Sequence, residues 1–337
     1  VFIRGQAGET AALQQAIESA EIALPEFGDA LGFTFDLKAD GTFKSQFNNR
    51  FNRPLKGTLA CTSGMKTLLE KSLELKPYES FESTFTFPAA TGSSVGVAFN
   101  YTFKPDSGST ILKSLKLQYA NAKKVEKDAF MIDGNPAKWT AIPGLRADNV
   151  RRSNPADDGA GDFEVETKWA WNEDFLYLAV FVKDDDFSPS KTIQFPDMGD
   201  SVTLFFDSFA DKMSGGANGE SGTNEDDHDY MLWFRDDGKI DMIRRRCAHW
   251  QLSFSKPGSV GSIQSHYART PEGYWLELAV PMVEVKPIEL KNGGIFGMNV
   301  VVNDYDEGKS AGSAYYGDGD VPLSWRSPKD YVFMFLD

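Results

Sequence analysis

Apolar side chains recur at every second position through most of the chain, and this restricts its possible folds more than any other feature. LGFTFDL places Leu31, Phe33, Phe35 and Leu37 on one face, and FESTFTFP does the same with Phe81, Ser83, Phe85 and Phe87. VGVAFNYTF repeats the pattern with Val95, Val97, Phe99, Tyr101 and Phe103. A period of two lines one side of an extended strand, whereas a helix needs apolar residues three and four apart. Polar clusters such as KADG and KPDSGS separate the runs, and short alternating strands punctuated in this way predict antiparallel β-sandwiches. The exception lies near the start. In GETAALQQAIESAEIAL, Leu13, Ile17, Ala20 and Leu24 keep helical spacing up to Pro25, which predicts a short N-terminal helix.

The expected fold is therefore mainly β, with two antiparallel β-sandwich domains in tandem. KSLKLQYANAKKVEKDAF (113–130) carries few large apolar residues after Tyr119, which places a boundary near 122–128 and gives domains of 1–125 and 126–337. The second domain opens at IDGNPAKW (132–139). FLYLAVFV (175–182) is apolar on both faces and is expected at the centre of a sheet. DSVTLFFD, YMLWF, YWLELAVP, NVVVND and YVFMFL supply further strands, and 211–229 is a polar loop rich in Gly and Asp.

A chain of 337 residues can bury two cores, and its 26 Phe and 7 Trp mark it as globular rather than disordered. Its net charge of -14 opposes nucleic-acid phosphates and an anionic membrane surface. No apolar run approaches the roughly 20 residues that span a bilayer. VFIRGQAGET has no signal-peptide core or cleavage site and no initiator Met, so a mature or excised fragment is expected. Cys61 and Cys247 form neither a disulfide framework nor a metal ribbon, and are expected to be buried thiols.

Few motifs point to catalysis. GKSAG (308–312) matches a nucleophile elbow, but no helix-forming stretch follows Ser310 and all three His precede it. A glycosidase needs two spaced carboxylates, and among 49 acidic residues some pair always qualifies. Calcium prefers carboxylates beside carbonyls in Gly-rich loops. Asp207, Asp211, Asp226, Asp227 and Asp229 flank or lie in such a loop, which is either a cation site or a solvated acidic surface. Sugar rings pack an apolar face on aromatic side chains. In YMLWFRDD, Tyr230, Leu232 and Phe234 share a core face, leaving Met231, Trp233 and Arg235 opposite; Trp325 and Arg326 lie in the Pro-bounded stretch PLSWRSP. Core anchors and ligand platforms both fit these tryptophans. GMNVVVNDYDEG (297–308) reads as a strand ending in a polar cluster, Asn303, Asp304, Asp306 and Glu307, suited to turn capping or to ligand contact.

The succession IDGNPAKW, WNEDFLYLAVFVKDDDF, GDSVTLFFD, YWLELAVPM, GMNVVVNDYDEG and LSWRSPKDYVFMFL has a familiar order. From about 128 to 337 the chain resembles carbohydrate-binding modules of family 9, among the DOMON-like β-sandwiches. The resemblance implies non-catalytic binding of an oligosaccharide or polysaccharide, structural calcium, and attachment in cis to the catalytic domain of a larger secreted or cell-surface bacterial enzyme. Trp325 matches the second of two sugar-stacking tryptophans, whereas the place of the first falls on Asp197 or Met198, with Trp233 or Phe195 as substitutes. Thr203 stands where the family has an acidic residue, Trp233 where it has an arginine and Arg235 where it has an asparagine. The implied sugar contacts are Trp325, Trp233, Arg235, Arg326, Asn303 and Asp304; Asp306 joins Asp207, Asp211, Asp226 and Asp227 as a metal candidate.

NNRFNRPLKGTL, followed by LELKPYESFESTFTFP, resembles the immunoglobulin-like or fibronectin-like sandwiches beside such modules, which implies an accessory spacer for residues 1–125. Other classes compatible with the sequence are a scaffold or adhesive module without sugar binding, part of a glycoside hydrolase, and a haem protein using Met231.

Overall fold

Period-two runs become strands throughout the computed structural model, which describes residues 31–37, 42–86, 95–127, 130–147, 149–152, 163–210, 226–246, 258–306, 309–316 and 331–337. The expected N-terminal helix and Cys247 lie outside these residues. The fold is mainly β, and among the described residues no helix is long and apolar enough to cross a membrane.

One compact unit draws on Phe43–Thr86 and Val97–Lys116, the other on Leu117–Asp337. The first contains β1 (Leu31–Leu37), β2 (Thr42–Asn49), β3 (Leu55–Ser63), β4 (Lys66–Leu75), β5 (Ser80–Thr86) and β6 (Val95–Pro105). Strands β1, β2 and β5 form one sheet, and β3 pairs antiparallel with both β4 and β6. Aromatic rings interleave between them: Phe43 stacks on Phe99 at 4.8 Å, and Phe47 meets Phe103 at 5.0 Å. Cys61 is fully buried, and burial pushes its thiol up to about 11. The PLKGTL motif is also explained, because a side chain at Gly57 would collide with the Lys104 and Pro105 backbone of β6. Buried Asn49 donates to the carbonyls of Arg53 and Lys76 at 2.9 Å and accepts from Phe51 N, tying a strand end to the next turn.

The division between units falls within β7 (Ile111–Lys124). Its last residues belong to the second unit by pairing: Tyr119–Ala122 run parallel to β20 (Val332–Leu336), and Lys123 and Lys124 parallel to β10 (Glu164–Trp171). The strand thus links two sheets. One sheet has the order β8 (Gly144–Arg146), β10, β11 (Phe175–Lys183), β17 (Gly273–Pro281), β16 (Gln264–Thr270). The other runs β15 (Gly258–Val260), β14 (Ile240–Arg246), β13 (Asp227–Phe234), β12 (Ser201–Asp207), β18 (Ile295–Asp306). Beyond β18 its far edge is shared by β20 and by β19 (Lys309–Tyr315), and β19 pairs with β9 (Asn149–Arg152). Inward residues of both sheets, among them Trp169, Leu178, Leu276, Phe206, Leu232 and Val300, form one core.

The IDGNPAKW segment folds over the outer face of the first sheet through a dense local network. Gly134 takes a φ of +78°, and a Cβ there would also crowd the His266 ring. Asn135 caps a 3-10 turn (Pro136–Ala141), accepting from Ala137 N with Pro136 at its start. The turn delivers Trp139 and Lys138 to Glu277, which is fully buried on β17. Its carboxylate accepts from Gly134 N at 2.7 Å, Trp139 Nε1 at 2.9 Å and Lys138 Nζ at 2.8 Å. A buried carboxylate with three donors is tolerated; removing it leaves two N–H groups without their acceptor and Lys138 with only Asp133 and Met131 O as polar partners. Glu277→Ala is therefore expected to lower the unfolding free energy by about 3 kcal/mol in urea titration, and a loss under ~0.5 kcal/mol would contradict this anchoring.

Candidate functional site

Strand parity decides where the polar cluster at the end of β18 points. Met298, Val300 and Val302 face the core, so Asp304 continues the inward row and Asn303 faces out. The strand runs on to Asp306, further than the sequence pattern implied, because pairing with β19 continues through a bulge between Asp304 and Tyr305. Asn303 and Asp304, adjacent in sequence, therefore serve opposite faces.

On the outer face, Asn303 pairs with Ser201, and its Nδ2 donates to Ser201 Oγ at 3.0 Å. Val202 pairs with Leu232 and Trp233 with Asp241, so the register sets Asn303, Ser201, Trp233 and Asp241 in one row across β18, β12, β13 and β14. Trp233 is half-buried and donates its Nε1 to Ser190 O at 2.9 Å. Arg235, two residues on and on the same face, contacts Asp241 at 3.3 Å and Asp237 at 2.9 Å. The segment holding Ser190 leaves Phe195 and Met198 59% and 65% exposed. The result is a shallow outer patch: a half-buried indole, a guanidinium held between two carboxylates, and an amide anchored by the fully buried Ser201 hydroxyl. Ser201 and Asp241 were missed by sequence reasoning, although alternation along IDMIRRR puts Asp241 on the outer face. Trp325, Arg326 and Asp211 lie outside the described residues.

Facing inward at the same end of β12 is an acidic group. Ligand oxygens of Asp184, Asp304 and Asp306 lie within 4.8 Å of one another. Asp200 borders them, its oxygens accepting from Ser188 N and, at 2.9 Å, from Tyr305 N. Burial, reinforced by Asp184 and Asp304, pushes the Asp200 carboxyl up to about 8; burial also raises Asp184, whose Oδ2 has no hydrogen-bond partner. The fully buried phenol of Tyr274 is raised by burial and by the same three aspartates. Asp184, Asp200 and Tyr274 carry no local motif and were not singled out from the sequence.

A second acidic group sits at the other end of β12, about 20 Å away along the strand. Asp207, Asp226 and Asp227 are all buried, with ligand oxygens within 4.8 Å. Asp207 pairs with Asp227 and with Gly297, where a side chain would crowd it. Next to them, His228 is held neutral: burial lowers its pKa to about 4, and Nε2 contacts Lys286 O at 2.8 Å. Asp306, also a metal candidate from the sequence, belongs to the first group and not to this one.

The family model described as "Carbohydrate family 9 binding domain-like" matches residues 132–336. The chain belongs to carbohydrate-binding module family 9. Solved structures to which the chain is similar include a family 9 module from Caldicellulosiruptor kristjanssonii in complex with glucose (16% identity, TM-score 0.47, covering 65% of this chain and 95% of that one). The same module in complex with cellotriose gives 16% identity and a TM-score of 0.47, over 64% and 93% of the two chains. A putative carbohydrate-binding protein from Bacteroides uniformis matches at 11% identity and a TM-score of 0.43, over 65% and 99%. No curated protein matches the chain.

The inward acidic group makes a direct prediction. Asp184→Asn removes one of several mutually repelling buried charges, so the variant's Tm in chelator-containing buffer is expected to exceed that of the wild type. A lower Tm would show that this carboxylate is satisfied as it stands.

Proposed function

We propose that residues 126–337 bind a neutral oligosaccharide or polysaccharide without transforming it, through the outer patch of Trp233, Arg235 and Asn303 together with Trp325 and Arg326. The observation that supports this most is the row Asn303–Ser201–Trp233–Asp241. There a half-buried indole lies beside amide, carboxylate and guanidinium groups on one strand-borne surface, and the buried Ser201 hydroxyl holds the amide in place. Such a surface suits a ring with one apolar face and a girdle of hydroxyls, because each hydroxyl needs both a donor and an acceptor to replace water. Arg235 is oriented by two carboxylates, which keeps its remaining N–H donors directed for a ligand. Residues 1–125 act as a spacer of immunoglobulin-like type, and the whole serves as the accessory region of a larger secreted glycan-degrading enzyme.

The two acidic groups are read as structural calcium sites. Buried carboxylate oxygens converging from separate strands suit a hard cation that takes six to eight oxygens. The upward shifts of Asp184 and Asp200 and the partnerless Asp184 Oδ2 are what an added divalent charge would relieve. Asp304 acts in that set, inward of the sugar patch, and steadies the strand end that presents Asn303.

Isothermal titration with glucose, cellotriose and longer neutral oligosaccharides tests the site. Trp233→Ala and Trp325→Ala are each expected to weaken binding at least about tenfold, or about 1.4 kcal/mol, with Tm changed little. Unaltered affinity in both variants would move the site elsewhere. Calcium is expected to raise the Tm of the wild type by more than that of Asp184→Asn, which keeps the Asp207–Asp226–Asp227 group; an equal rise in both would remove Asp184 from the cation site.

A further inference from the structure

On the outer face of the β8–β10–β11–β17–β16 sheet, the Pro136–Ala141 turn covers only part of the surface. Trp139, Ile142 and Phe130 pack over Tyr177, Ala179 and Ala279. The neighbouring row, Glu166 on β10, Phe181 on β11 and Trp275 on β17 in direct register, borders two adjoining cavities. One has a volume of about 490 Å³ and the other about 300 Å³, and both are lined by Glu166 and Phe181. Each is of a size that holds a small ligand or part of a chain.

The floor of this trough is aromatic, formed by the half-buried Phe181 with the buried Trp275 beside it. Phe181 and Trp275 stack with centroids 5.8 Å apart and planes 11° from parallel. Its walls alternate in sign: Glu164, Glu166 and Glu272 against Arg146, Lys168 and Lys183. Three acids and three bases leave it locally neutral on a chain of net charge -14. The Glu164 contacts are loose, 3.9 Å to Arg146 and 4.0 Å to Lys183. Lys168 Nζ lies 5.8 Å from the Phe181 ring centre and donates to Trp139 O at 3.1 Å, which fixes it beside the floor. Gly144 makes room for Glu166, since a side chain there would collide with its carboxylate.

We propose that this trough is a second contact site for a neutral glycan, with Phe181 as the stacking floor and the Glu166–Lys168 pair reading hydroxyls. The inference rests on the sugar-binding reading but uses the opposite sheet and different residues. A flat ring flanked by paired acceptors and donors without net charge fits an uncharged polyhydroxyl ring better than a phosphate, a uronate or a basic peptide. Two sites on opposite faces would let the module bridge chains of a polysaccharide.

The test is a two-dimensional NMR titration of the full chain with cellohexaose, with mannohexaose and xylohexaose as further neutral probes. It is run on wild type, Trp233→Ala/Trp325→Ala, Phe181→Ala and Glu166→Gln. The expected result is saturable shifts at Lys168, Phe181 and Trp275 that persist in the double variant. In Phe181→Ala they should weaken about tenfold or more, and in Glu166→Gln, which leaves the floor intact, at least about threefold. Shifts confined to the Trp233 face would overturn the second site and leave the first standing. Shifts confined to the trough would support the second site and remove the first. No shift with any neutral probe would overturn both, and tighter binding of an oligogalacturonate would overturn the neutral-glycan assignment.

Discussion

Strand β18 is the constraint on which the second unit depends. Twelve residues long, it pairs with β12 along one edge and with β20 and β19 along the other. One face supplies Met298, Val300 and Val302 to the core; on the other, Val301 packs with Phe205, Tyr315 and Tyr331. A strand held on both edges and both faces has no freedom to slip, because a one-residue shift would exchange Val302 with Asn303 and Asp304 with Tyr305. That fixed register puts an amide on the outer face and a carboxylate inside.

The two sheets divide the remaining work. The sheet centred on β12 offers the outer patch at one end of its strands and buries acidic groups at both ends. The sheet centred on β11 is anchored by Glu277, whose three donors come from the Gly134–Trp139 segment. Buried charge recurs in both sheets with opposite accounting. Glu277 is satisfied by protein donors, whereas the Asp184–Asp304–Asp306 group gathers negative charge in one place. The first arrangement needs nothing further; the second is suited to a cation.

Period two made the strands legible because each inward row is strongly apolar: Phe99, Tyr101 and Phe103, or Tyr230, Leu232 and Phe234. It also placed Trp233 and Arg235 on the outward side, where the structure has them. The segment order from IDGNPAKW onward carried the family. What remained hidden depends on contacts distant in sequence. Asp184 and Asp304 are 120 residues apart along the chain, and no local pattern brings them together. Asp306 is a metal candidate from the sequence alone, but the length of β12 separates it from Asp207, and only the fold shows that its neighbours are Asp184 and Asp304. The inward aim of Asp304 could have been read by extending the alternation of β18 by two residues, had the polar cluster not looked like a loop.

The central claim is that the face bearing Trp233 binds sugar. It is tested most directly by a crystal or NMR structure of the calcium-loaded protein with a neutral oligosaccharide that it retains on a glycan array. The account predicts a sugar ring stacked at Trp233 or Trp325, with hydroxyls on Arg235 and Asn303. A folded, calcium-loaded protein that retains no glycan, or one whose ligand sits away from β12 and β13, would contradict it.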